Sequence, residues 1–173
     1  MKKISFRNDV LPLKDILYRL ALRITLNTAE AEDVVQETLI KVWNRRENWD
    51  NIDSIEAFSL TICRNLALDR TRKASFQNPT LDESHGSDTA DSSYTSDPER
   101  QAMLNDKVAI VRRMIDQLPE KQRSVMQLRD FEGKSYKEIT AIMGISEEQV
   151  KVSLFRARQM IKRKFLATEQ YGL

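Results

Sequence analysis

The stretch SYKEITAIMGISEEQVKVSLFRARQMIKRK, Ser135 to Lys164, decides how this chain folds. Ser135 followed three residues later by Glu138 is a capping box, and Ser146 followed by Gln149 is a second; each hydroxyl can accept from amides left unpaired at a helix start. Between them lies Met143-Gly144-Ile145, a tight corner in which Gly144 can take the positive φ that other residues resist. The spacing predicts two helices beginning about eleven residues apart and hinged on one glycine. Wound at 100° per residue, the second helix puts Val150, Leu154, Ala157 and Ile161 on one arc, which packs on its predecessor. Glu148, Val152, Phe155, Arg156, Gln159 and Arg163 then face outward. An outward phenylalanine beside an arginine is odd for a solvated surface. It suits a DNA major groove, where thymine offers a methyl group and guanine two acceptors for a guanidinium. From Ser146 to Phe165 there are six basic and two acidic side chains, net +4, as phosphate contacts require. The plain alternative is a helical hairpin with a solvated basic face.

The 173 residues suffice for one domain or two small ones, and 31% charged with 40% hydrophobic side chains is an ordinary soluble composition. No apolar run approaches the eighteen or so residues of a transmembrane helix, and MKKISFRNDV turns polar before a signal-peptide core could form, so no membrane insertion is expected. A single cysteine, Cys63, excludes an intrachain disulfide and a cysteine-rich zinc site and points to a reducing cytoplasm. Four glycines and four prolines leave little turn chemistry for β-hairpins. The expected fold is all-α.

Charge divides the chain. Residues 1–73 carry thirteen Lys/Arg against eleven Asp/Glu, residues 74–99 none against six, and residues 100–173 fifteen against nine. The middle segment, ASFQNPTLDESHGSDTADSSYTSDPE, has almost no aliphatic side chains and cannot offset its ordering entropy, which predicts a flexible acidic tether. His85 falls within it and reads as inert.

Before the tether the pattern predicts three helices. The first runs from about Val10 to Leu26, with Pro12 in its first turn. The second opens with Thr28 as N-cap and runs to about Arg45; Glu30, Glu32 and Asp33 suit the positive end of its dipole. Its Ala31, Val34, Val35, Thr38, Leu39 and Val42 form a core arc with Trp43 at the edge. Asp33, Gln36, Glu37, Lys41 and Asn44 lie opposite with Ile40 among them, either a solvated face with one stray isoleucine or a docking face for a partner helix. The third opens at Ser54 and ends near Lys73, with apolar residues on several sides, so more than one neighbour packs on it; Asp69 and Arg72 can pair. Trp49, in the polar loop of residues 46–53, can stack on an unpaired base. The plainer reading, which the pattern favours, is that it seals the end of the bundle. After the tether, Pro98 starts a helix to about Gln117, and Pro119 starts another toward Phe131.

Together these segments resemble the extracytoplasmic-function (ECF) sigma factors, small bacterial sigma subunits of RNA polymerase. AEDVVQETLIKVW (31–43) and FSLTICRNLALDRTRK (58–73) resemble the family's region 2, and LPEKQRSVMQLRDFEGKSYKEITAIMGISEEQVKVSLFRARQMIKRKF (118–165) resembles its region 4. The resemblance implies two small helical domains, residues 1–73 and 99–173, joined by a flexible linker over 74–98. It implies three partners: core RNA polymerase, promoter DNA and an anti-sigma factor. Asp33, Gln36, Glu37, Ile40 and Lys41 match the surface that docks on the clamp helices of the largest catalytic polymerase subunit. Trp49, Asn51, Phe58, Thr61, Arg64 and Asn65 match the part that captures melted bases of the minus-ten element. Ser146, Glu148, Gln149, Lys151, Val152, Phe155, Arg156, Arg158 and Lys162 match the reader of the minus-thirty-five element. Where the family often has Ser-Arg, this chain has Val152-Ser153; Phe58 replaces a common tryptophan, Thr61 a basic residue and Thr140 an alanine, which alters individual contacts. No cofactor, metal, small-molecule substrate or catalytic residue is implied.

Two other readings remain on the residues alone. A stand-alone helix-turn-helix regulator explains residues 99–173 but leaves the first block without a job. A helical enzyme using Glu30, Glu32, Asp33 and Glu37 lacks the Glu-x-x-His pattern of di-metal bundles.

Overall fold

The computed structural model describes residues 3–77 and 98–170. Among them every regular element is helical: α1 Lys14–Thr25, α2 Thr28–Asn44, α3 Ile55–Gln77, α4 Pro98–Asp116, α5 Glu120–Met126, α6 Tyr136–Met143 and α7 Glu147–Gln170. Short π-helical turns at Phe6–Val10 and Gln127–Phe131 and 3-10 turns at Leu11–Leu13 and Arg46–Asn51 complete the order. The expected tether lies largely outside the described residues, with His85; α3 runs to Gln77, four residues past the expected boundary.

Helices α1, α2 and α3 pack on one another. The predicted arc of α2 is buried in full, and Thr38 tolerates this by donating its hydroxyl to Val34 O at 2.7 Å. Two boundaries differ from expectation. Pro12 sits in the 3-10 turn ahead of α1 rather than in its first turn. The N-cap of α2 is Asn27, whose side chain accepts from the Glu30 N–H at 3.0 Å, so Thr28 is already helical. Only Leu26 and Asn27 join α1 to α2. This shortness forces Leu26 into the left-handed region at φ 56°, where its N–H bonds Leu22 O at 2.8 Å.

In the second half α5, α6 and α7 pack together, and α4 lies along α7 over a small cluster of Ile115, Leu118, Met126 and Ala157. Both capping boxes are formed: the Ser135 hydroxyl accepts from the Glu138 N–H at 3.1 Å and the Ser146 hydroxyl from the Gln149 N–H at 3.1 Å, with each partner side chain accepting in return. Gly144 ends α6 at φ 66°. These local signals fix a helix-turn-helix.

The two halves do not stand apart. One contiguous apolar cluster contains Leu17, Leu20 and Leu60 from the first half and Val125, Leu128, Ile139, Ile142 and Leu154 from the second. Arg123 crosses the junction nearly buried, donating to Asp116 O at 3.0 Å and to Ile24 O at 3.5 Å; burial lowers its pKa. Its guanidinium thus ties the carbonyl ends of two helices, where the dipole favours a cation.

Candidate nucleic-acid interface and docking face

On α7, Val150, Leu154 and Ala157 are buried and Ile161 is half-buried, so the arc read from the sequence is the packed one. Glu148, Val152, Phe155, Arg156, Gln159 and Arg163 are exposed, and Phe155 is 63% exposed. Phe155, Arg156, Gln159, Met160 and Arg163 line a shallow groove with Gln122 of α5, so α5 adds a contact that the periodicity of α7 could not reveal. The Ser146 hydroxyl and the Gln149 side-chain oxygen accept bonds of the helix cap. Lys151 pairs with Glu147 at 3.4 Å and lies over the Tyr136 ring, while Arg158 grips Asp130 with two bonds of 3.1 and 2.5 Å, which raises its pKa. Lys162 is exposed. The open face of α7 is therefore centred on Phe155 and Arg156, with Arg158 held to one side by its own carboxylate.

On α2, Asp33, Gln36, Ile40 and Lys41 are exposed and Glu37 is half-exposed. Ile40, 58% exposed, is the apolar centre of a polar face. The carboxylates on this face are organised by a residue that the sequence pattern passed over. Arg70 of α3 donates to Glu30 at 2.9 Å, to Asp33 at 3.5 Å and to Glu37 at 3.2 Å, and its hydrogen bond to Glu30 is the main cause of its raised pKa. Pairing forty positions apart carries no local signature.

The six residues expected at melted DNA fare unevenly. Asn51 and Asn65 are exposed. Phe58 and Thr61 are half-buried, and Thr61 donates to Ala57 O at 2.8 Å. Trp49 is only 7% exposed; its indole N–H donates to Val42 O at 3.0 Å and its ring meets Trp43 edge-on. Both contacts and the burial place the ring at the end of the bundle. Arg64 is 13% exposed and donates to both oxygens of Glu120 at 3.2 and 3.3 Å, leaving its Nε buried without a partner.

The arrangement is a helix-turn-helix with an exposed basic and aromatic face, packed on a bundle with an acidic face that exposes Ile40. Sigma-70 region 2 matches residues 10–77 and sigma-70 region 4 matches residues 109–161, together with the same order as the two halves. The ECF RNA polymerase sigma factor SigL of Mycobacterium tuberculosis is 32% identical over 148 residues, covering 85% of this chain and 81% of that protein. The chain belongs to the ECF sigma factor family. Two solved structures share the fold of this sigma factor. The sigma factor RpoE in complex with the anti-sigma factor NepR, from Bartonella quintana, has TM-score 0.71 at 24% identity, covering 91% of this chain and 94% of that one. CnrH in complex with the cytosolic domain of CnrY has TM-score 0.67 at 22% identity, covering 94% and 88%. No described helix is long and apolar enough to cross a membrane.

Proposed function

We propose that this ECF sigma factor joins core RNA polymerase through the α2 face around Ile40, reads an upstream promoter element with α7, and assists melting of the start-proximal element with α3. The observation that carries the reading is the presence, in one chain, of an open Phe155–Arg156 face and a separate polar face centred on exposed Ile40. A DNA-binding module acting alone needs the first and has no use for the second.

Physical chemistry assigns the parts. Arg156 offers a bidentate donor pair to a guanine edge, Phe155 an apolar contact to a neighbouring thymine methyl, and Lys162 and Arg163 a charge to flanking phosphates. Asn65 offers an amide to an unpaired base or its backbone. Ile40, ringed by Asp33, Gln36, Glu37 and Lys41, fits a partner helix that presents an apolar side chain amid basic ones. The protein works as a binding subunit in the cytoplasm, without cofactor or catalytic residues of its own. The structures of similar fold are complexes with anti-sigma factors, and we extend that mode of control to this chain: an anti-sigma partner would cover the polymerase-docking face.

The test is a comparison of promoter-DNA binding with and without core polymerase. A specific footprint over both elements only when core is present supports the reading. An equal footprint by the chain alone would identify a stand-alone helix-turn-helix regulator instead.

A further inference from the structure

One edge of the reading helix carries a row of cations. Wound at about 100° per residue, Lys151, Arg158 and Lys162 of α7 fall within about 40° of one another, on the side where Phe155 borders the reading face. Arg129 joins them from the turn ahead of α6: its guanidinium lies 4.4 Å from the Tyr136 ring centroid, and Lys151 Nζ lies 5.5 Å from the same ring. Tyr136 is the first residue of α6. In a helix-turn-helix the first helix crosses the phosphate backbone while the second enters the major groove. The edge around Tyr136 is therefore the one that meets a phosphate strand.

One side chain on this edge works against that meeting. Asp130, in the turn Gln127–Phe131, accepts from Arg158 Nε at 3.1 Å and from Arg158 Nη2 at 2.5 Å. The pair occupies the forked donor edge with which a guanidinium grips a phosphate. Lys151 is answered more loosely, by a single contact with Glu147 at 3.4 Å within α7 itself. The Arg158 side chain is 53% exposed and that of Asp130 30%, so their pair lies at the surface. Surface pairs add little to stability, and α7 is already held by buried Val150, Leu154 and Ala157. The charge of Asp130 therefore acts mainly on what approaches the edge.

We propose that Asp130 is a specificity-determining residue of this sigma factor: it withholds the Arg158 guanidinium from the phosphate strand, lowers the sequence-independent part of DNA binding, and leaves promoter choice to the base contacts of Phe155 and Arg156. The proposal rests on the reading of α7 as the promoter helix. A nonspecific complex is held by charge, and each added phosphate contact steepens its salt dependence by about 0.9 in log–log slope. Such a complex can settle wherever a cation finds a phosphate. In the specific complex base contacts fix α7, and Arg158 gains only a phosphate within reach of that one pose. Freeing Arg158 therefore raises nonspecific affinity more than specific affinity.

The test uses the full chain assembled with core polymerase, binding a promoter duplex obtained by start-site mapping and a scrambled duplex of the same length. Asp130→Asn should raise affinity for the scrambled duplex at least fivefold at low salt, with a slope steeper by about 0.9. The preference for promoter over scrambled duplex should fall at least threefold, and Asp130→Glu, which keeps the charge, should retain most of it. In an Arg158→Ala background the same Asp130→Asn change should move the scrambled affinity less than twofold, because the effect runs through Arg158. Arg158→Ala alone should lower the scrambled affinity by less than Lys162→Ala does. Unchanged or weaker scrambled binding by Asp130→Asn overturns the proposal, as does an equal rise for both duplexes or a similar gain without Arg158. If Asp130 merely braced α7, Asp130→Asn would weaken both duplexes and relax the base preference set by Arg156. Failure of the promoter reading is separate: Arg156→Ala would then leave the preference for the promoter duplex unchanged, which overturns both.

Discussion

Arg70 Nη2 donates to Glu37 Oε2 at 3.2 Å, binding the third helix to the face of the second that we assign to polymerase docking. The pair decides how that face should be tested. Glu37→Lys would set a new cation beside Arg70 and disturb the packing of α3 on α2, so a loss of binding could come from either cause. Ile40 has no such tie. Ile40→Asp should reduce core association at least tenfold, measured by competition for core, while the melting temperature stays within the narrow range usual for exposed substitutions. Arg70→Ala should cost no more than about 1 kcal/mol of stability, as partly exposed ion pairs do, and should leave Glu30, Asp33 and Glu37 less ordered.

Upstream recognition should divide by residue. Arg156→Ala should relax preference at one base pair by roughly 1–3 kcal/mol, read by selection on a promoter library. Lys162→Ala should weaken all sequences alike and lower the salt slope by about one. Arg158→Ala should change the slope less, because Arg158 is already neutralised by Asp130. Val152 has nothing to donate, so fewer positions should be read by hydrogen bond and more by DNA shape.

Trp49→Ala should unfold rather than merely impair. Truncating a buried aromatic typically costs about 3–5 kcal/mol, and here the Val42 carbonyl also loses its indole donor. Thermal unfolding should show the loss, and a pre-melted promoter bubble should not rescue transcription. Asn65→Ala, on the exposed side of α3, should do the reverse: full stability, slower open-complex formation, and partial rescue by the bubble.

Cys63 reports on folding. Burial pushes its thiol pKa from the ordinary 9.0 up to about 12, and the Sγ donates to Leu17 O at 3.3 Å. The folded value lies above the unfolded one, so the thiol's contribution to stability is fully present below about pH 9 and is lost as pH rises toward 12. Native protein should resist a disulfide reagent at pH 8 and react stoichiometrically once unfolded by urea; rapid native labelling would contradict the burial.

The helix-turn-helix was legible because its determinants are local: two capping boxes, a glycine at positive φ and a repeat that leaves Phe155 and Arg156 outside. The α2 arc was legible for the same reason, down to Thr38. Asn27 displaced Thr28 as N-cap because the two-residue connection sets which side chain reaches the Glu30 amide, a detail below the resolution of pattern. The Arg70 network, the Asp130 grip on Arg158 and the bond of Arg19 to Glu132 across the junction join positions 28 to 113 residues apart. No periodicity encodes such pairings. Trp49 was open to two readings, and the tertiary path that brings Val42 O to its indole is not written in the local pattern.

Transcription from a genomic DNA pool by core polymerase, with and without the full chain, followed by mapping of transcript 5′ ends, tests the central claim most directly. The account predicts start sites that appear only with the chain, share one start-proximal and one upstream element, vanish with Ile40→Asp, and change their upstream base preference with Arg156→Ala. Identical start sites with and without the chain would contradict it.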